Sequence, residues 1–188
     1  MRGRTPAVNG FQGRTGVTAR GPIPISPRMR TDRPPNPPEI YVDADACPVK
    51  AEVLRVAERH GLTVHMVGNS WLRMAADNPL VNSVVVPEEP DAADDWIAEH
   101  IGTGDIAITA DIPLAARCLE AGAQAIGHTG KPFTEASIGN ALAMRDLMAH
   151  LRDTGDVIGG GSSFSKQDRS RFLSALETAV QAARRAAD

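Results

Sequence analysis

The chain has 188 residues, of which 42% are apolar and 23% charged, and a formal net charge of −3. That is the composition of a globular protein with room for one domain of ordinary size and its tails. The longest apolar runs, such as Ser83–Val86 and Ile106–Ile108, are far too short to cross a bilayer, no signal-peptide stretch opens the chain, and two cysteines cannot build a cysteine-rich zinc site; the expected setting is the cytoplasm, with both thiols reduced.

Residues 1–38 make a Pro-, Gly- and Arg-rich tail. Seven Arg fall in residues 1–39 against Asp32 and Glu39, whereas residues 40–188 carry 13 basic and 21 acidic residues. The tail lacks apolar periodicity and is expected to be disordered. A basic segment of this kind can hold nucleic acid without sequence preference, and a start at Met29 would leave residues 1–28 outside the native protein.

From Ile40 onward short apolar strands alternate with helical stretches. Ile40–Val42 opens the first strand, and Val49, Val53, Val56 and Ala57 recur at helical spacing up to His60-Gly61, where glycine supplies a left-handed cap. Further strands are expected at 62–67, 83–86, 106–109 and 124–126, and helices at 71–76, from about Asp91, at 113–121 and at 134–152. The alternation predicts an α/β three-layer sandwich with a mostly parallel five-stranded sheet over residues 39–155. Residues 156–188 read as a glycine-serine connector and a last helix, opened by a capping box at Ser165-Lys166-Gln167-Asp168 and carrying Phe172, Leu173, Leu176 and Val180. That helix packs either on the domain or on a partner.

The aspartates carry the chemistry. Asp43 and Asp45 stand just past the first strand, where ligands bind in open parallel sheets. Asp45 or Cys47 could instead cap a helix starting at Pro48, which explains one aspartate but scarcely two. Asp111, before Ile112-Pro113, repeats the arrangement at the end of the fourth strand and is also a natural cap. Asp91, Asp94 and Asp95 crowd into one helical turn, where the macrodipole favours them and Asp91 with Asp94 resembles a capping pair. Three carboxylates in one turn nonetheless repel one another unless a cation or solvent screens them.

Together these side chains form an oxygen-only donor set, suited to Mg²⁺ or Mn²⁺ rather than zinc. The expected metal ligands are Asp43, Asp94, Asp95 and Asp111, and the expected catalytic residues Asp43, Asp45, Asp95 and Asp111. Phosphodiester hydrolysis is the chemistry such a site performs.

The runs Ile40–Lys50, Asp91–Ile97, Ile108–Ala115 and Phe164–Phe172 together resemble the YaiI/YqxD family of uncharacterised bacterial proteins, over about residues 39–180. That family is grouped with PIN-like domains, metal-dependent nucleases built on a parallel α/β sheet. The resemblance therefore implies a PIN-like fold and an acidic site at Asp43, Asp111 and the Asp91–Asp95 turn, while the family's own activity is not established. Members of the family carry an Arg-Gly pair after the fifth strand and a Gly-Pro-x-Pro-Phe run before the last helix. Here these are His128-Thr129-Gly130-Lys131-Pro132-Phe133 and Gly160-Gly161-Ser162-Ser163-Phe164. Lys131 would replace the arginine as a point charge of poorer geometry.

Asn69, Ser70 and Arg73 follow the second strand and are expected to line a substrate groove, with Trp71 stacking on a base or, more plainly, packing in the core. Lys131, Lys166, Arg169 and Arg171 complete the expected substrate-binding set if the last helix folds back over the sheet edge; otherwise they form a solvated face. Cys47 is a weak candidate nucleophile, since adjacent carboxylates oppose a lowered thiol pKa. His128 reads as a loop residue.

Three functions compete. The first is a Mg²⁺- or Mn²⁺-dependent phosphodiesterase acting on RNA rather than DNA. The second is a non-catalytic module of the same fold that binds nucleic acid or protein. The third is a haloacid-dehalogenase-like phosphatase using Asp43 and Asp45, against which stands Cys47 where that motif wants Thr or Val.

Overall fold

Side-chain alternation in the first strand sets the architecture. In β1 (Ile40–Asp43) Ile40 and Val42 join one core and Tyr41 the other, all three buried. A strand apolar on both faces belongs at the centre of a sheet covered twice. β2 (Val64–Gly68) and β4 (Ile106–Ile108) flank it in parallel, with Ile40 opposite both Val64 and Ile106. β3 (Val81–Val85) and β5 (Gln124–Ile126) extend the sheet in the same sense. A sixth strand, β6 (Pro132–Phe133), pairs antiparallel with β5, giving the order β3-β2-β1-β4-β5-β6. Patterning predicts five strands; a two-residue strand beginning with proline leaves no periodic signal, and it sits at the sheet edge where proline is tolerated.

This computed structural model describes residues 37–45, 47–70, 78–153 and 164–187, all within one compact unit, Arg33–Asp188. The tail as far as residue 36, the helix expected at 71–76 with Trp71 and Arg73, and the connector at 156–163 lie outside the described residues.

α1 (Lys50–His60) and α5 (Lys166–Ala187) cover one face of the sheet. α2 (Ala92–His100) and α3 (Ile112–Glu120) cover the other, and α4 (Glu135–Asp153) packs on α3. Gly61 caps α1 at φ 64°, a left-handed position that glycine takes without strain. The expected capping box opens α5: Ser165 N–H donates to Asp168 Oδ2 at 2.9 Å and Asp168 N–H to Ser165 Oγ at 3.1 Å.

α5 packs on the domain rather than elsewhere. Phe172, Leu176 and Val180 are fully buried in the same core as Ile40, Val42 and Val53, and each such burial stabilises by about 1.5–3 kcal/mol. At the far end of α1, Glu177 of α5 accepts from Arg59 at 3.1 Å and pairs with His60 at 2.7 Å. α2 is seated by rings: Trp96 stacks on His100 with centroids 3.8 Å apart, and Tyr41 of β1 stacks on His65 at 4.6 Å and donates its hydroxyl to the His100 carbonyl. That docking fixes the turn bearing Asp91 and Asp94. Among the described residues no helix is long and apolar enough to cross a membrane.

Candidate functional site

The strand order reverses between β1 and β4, and open parallel sheets leave a crevice beyond their carboxyl ends at such a reversal. Asp43 closes β1 and Asp111 follows β4, so the two carboxylates flank that point. Thr109 joins them. Its buried hydroxyl donates to Asp43 Oδ2 at 3.3 Å and accepts the Asp111 N–H at 3.0 Å. Asp111 is also a cap, its Oδ1 taking the Leu114 N–H at 2.8 Å, which occupies one oxygen and leaves the second unneeded for the helix. Burial, against the help of the Thr109 bond, pushes the Asp43 carboxyl up, and nearby Asp45 and Asp111 add to this.

Asp45 does not cap α1. That helix begins after Val49, with no side-chain cap, and neither Pro48 nor Cys47 takes the expected part. The Asp45 carboxylate instead accepts the backbone N–H of Asn69, at 3.2 and 3.3 Å to its two oxygens, tying the end of β1 to the end of β2. Gly68 makes that possible, since a Cβ there would stand 2.5 Å from Asp45 Oδ1. Ser70 lies beside Asn69, exposed.

Asp91 departs from its expected capping role. It precedes α2 at φ 61°, makes no capping bond, and is the one non-glycine among the described residues with positive φ. Such strain collects where a side chain is held for a purpose. Asp43, Asp45, Asn69, the Val86–Pro90 loop, Asp91 and Asp94 line one cleft of about 340 Å³. Asp95 is elsewhere, exposed and paired with Arg117 at 2.8 Å. Neighbouring residues on a helix point about 100° apart, and on this turn Asp94 lines the cleft while Asp95 turns toward Arg117.

Asp94 responds most to this crowding. Burial first, then Asp111, Asp43 and Asp91, push its carboxyl up to about 6, against a small pull from Arg117. The native state therefore keeps this proton longer than the unfolded chain does, and stability falls as pH rises from about 4 to about 6. Asp94→Asn should raise the stability of the metal-free protein by about 1–2 kcal/mol at pH 7 to 8, after allowance for solvent screening, and should add nothing below about pH 4. Urea unfolding at several pH values reads this directly.

Among the described residues no three His, Cys, Asp or Glu side chains are arranged as a ready-made metal cage. Zinc and calcium need such cages. Mg²⁺ does not, since it binds through one or two carboxylates and keeps its waters for contact with substrate phosphate. An all-oxygen set centred on Asp43 and Asp111, with Asp94 beside them, fits Mg²⁺ or Mn²⁺ on those terms.

The chain as a whole matches a known group of sequences. Residues 41–182 match the family described as "Uncharacterized BCR, YaiI/YqxD family". The chain belongs to the YaiI/YqxD family. It is 68% identical over 147 residues to the UPF0178 protein of Parvibaculum lavamentivorans, a stretch covering 78% of this chain and 96% of that protein. The UPF0178 protein of Rhodospirillum rubrum is 65% identical over 147 residues, 78% of this chain and 98% of its own length, and that of Ruegeria pomeroyi 59% over 148 residues, 78% and 96%. No solved structure matches the chain.

The remaining candidates in this YaiI/YqxD chain fall around the same sheet edge. Burial pushes the Cys47 thiol up, with Asp43 and Glu52 adding to it, so that thiol is not activated as a nucleophile. Lys131 is exposed on the loop after β5, and Lys166, Arg169 and Arg171 are exposed in the first turns of α5. Arg169 pairs with Glu52 at 3.2 Å and Arg171 with Asp168 at 3.2 Å. Arg73 lies outside the described residues. Sequence reasoning missed Thr109, Glu52 and the cleft-lining Glu88 and Glu89. Only Thr109 had a legible signal, its place two residues before Asp111 at a strand end.

Proposed function

We propose that this YaiI/YqxD protein is a Mg²⁺- or Mn²⁺-dependent phosphodiesterase of the PIN-like kind, acting on RNA in the cytoplasm. The observation that carries the reading is the Thr109 bridge, which ties the Asp43 carboxylate to the backbone N–H of Asp111 and so joins two strand ends at the point where the sheet reverses. Asp43 and Asp111 would hold the ion, with Asp94 as a further ligand or hydrogen-bond acceptor for its waters. A bound ion would supply charge neutralisation on the phosphoryl oxygens and a more acidic water.

The chain's own contribution is positional. Thr109 orients Asp43, the Leu114 N–H fixes the rotamer of Asp111, and the Asn69 N–H holds Asp45 at the rim of the cleft. In the metal-free chain burial, Asp111 and Asp43 push the Asp94 carboxyl up to about 6, and an ion held by those two aspartates would relieve that push. A binding module of the same fold is the second reading.

A Mn²⁺ titration by calorimetry, run beside cleavage of a labelled RNA oligonucleotide, tests the proposal. Saturable binding with metal-dependent cleavage supports it. Binding of Mn²⁺ without cleavage of any phosphodiester leaves the module, and no binding at millimolar Mn²⁺ sinks the metal site.

A further inference from the structure

We infer that the start of α5 and the loop between β5 and β6 form a platform for a single-stranded nucleic acid, gripping its phosphates and stacking on its bases beside Asp43. The loop leaves β5 at the sheet edge that carries the aspartates: a Cβ placed on Gly127 would lie 4.0 Å from the Thr109 carbonyl oxygen. It is locked onto α5 at Gly130, φ 82°, where a Cβ would stand 2.6 Å from the Arg171 carbonyl carbon and the Phe172 nitrogen. Only glycine permits that approach.

Two rings and a guanidinium meet at the junction. His128 meets Phe164 edge-on at 6.3 Å, and the Arg169 guanidinium lies 5.6 Å from the Phe164 ring centre. Glu52 pins Arg169 from below. Its side chain is 4% exposed, one oxygen bonded to Arg169 Nε and the other without a hydrogen-bond partner, while the Arg169 side chain is 52% exposed. A half-satisfied buried carboxylate is a costly way merely to fasten a helix that already buries Phe172 and Leu176. What it achieves is an arginine held beside a ring with its outer part in solvent, a surface on which an unpaired base can stack.

Charge agrees with this. Lys131, Lys166 and Arg171 are exposed around Arg169, so that four of the 13 basic residues in 40–188 gather here against Glu52 and Asp168. Duplex bases are already stacked and paired, which leaves a single strand as the ligand. The inference deepens the phosphodiester reading and rests on it for the polyanionic class of the ligand.

Fluorescence anisotropy of a fluorescein-labelled U12 oligonucleotide, titrated with the full chain in EDTA at several salt concentrations, tests it. Lys131→Ala, Lys166→Ala and Arg171→Ala combined should weaken binding at least about 10-fold and flatten the log-log salt slope by roughly two. Arg169→Lys keeps the charge, so it should weaken binding about 5- to 10-fold with the slope unchanged. A duplex of equal length and polyglutamate should both compete poorly. Parent affinity and slope retained in both variants would locate binding in the Arg-rich residues 1–38 and overturn the platform, as would an unbound parent chain or polyglutamate competing equally with U12; circular dichroism confirms that each variant is folded. The parent chain separates the two readings: binding of U12 in EDTA with no cleavage in Mn²⁺ keeps the platform and rejects the enzyme, and metal-dependent cleavage that the platform variants leave unchanged does the reverse.

Discussion

Asp43→Asn is expected to remove saturable Mn²⁺ binding and to lower metal-dependent phosphodiester cleavage at least about 100-fold. The substitution keeps size and one oxygen, so the fold should persist; Asp43 is only partly buried and Asn can still accept from Thr109. What is lost is the charge that would hold the ion. An ion's stabilisation of transition-state charge is worth several kcal/mol, and each 1.4 kcal/mol is a factor of ten. The loss of one carboxylate also relaxes its neighbours. Asp94, now facing fewer negative charges, should titrate lower, a change visible in the carboxyl carbon shifts of the labelled protein. Turnover equal to the parent's would remove Asp43 from the site.

Phe172→Ala should cost about 3–5 kcal/mol in urea unfolding, the range for deleting a fully buried aromatic ring. Phe172 is the largest of the fully buried side chains and sits in one core with Ile40, Val42, Val49 and Leu176. The cavity would open between α5 and the sheet. A change under about 1 kcal/mol would mean that α5 contributes little to the domain. The same variant separates folding from chemistry, since Phe172 touches no candidate ligand and its loss should leave Mn²⁺ affinity unchanged while the protein stays folded.

Much of the fold could be read from the residues. The continuous apolar run Ile40–Val42 and the 3.6-residue spacing from Val49 to Ala57 give β1 and α1, because a strand buried on both sheet faces is apolar throughout. The capping box at Ser165 and the glycine cap at Gly61 are local chemistry and appear where expected. The start of α1 was not legible. Proline suits a first helical position, but the Asn69 N–H draws Asp45 away, a contact 24 residues distant in sequence. Within the acidic turn the composition alone could not divide Asp94 from Asp95; the division follows from helical rotation and the pull of Arg117, 22 residues downstream. Thr109 was invisible as a bridge because its two partners arrive from different strands. In short, periodic and local features were legible and cross-chain hydrogen bonds were not.

The place of α5 bears on the order in which this protein can be made. β1 is the first described element to leave the ribosome, and α1 follows at once to cover part of one side of it, yet that core is not closed until Phe172, Leu176 and Val180 are synthesised; Arg59 waits 118 residues for Glu177. Contacts of such separation form late and slowly. The nascent chain therefore carries a half-covered apolar sheet face through most of its translation, and it is a natural client for whatever shields such surfaces until the last helix arrives.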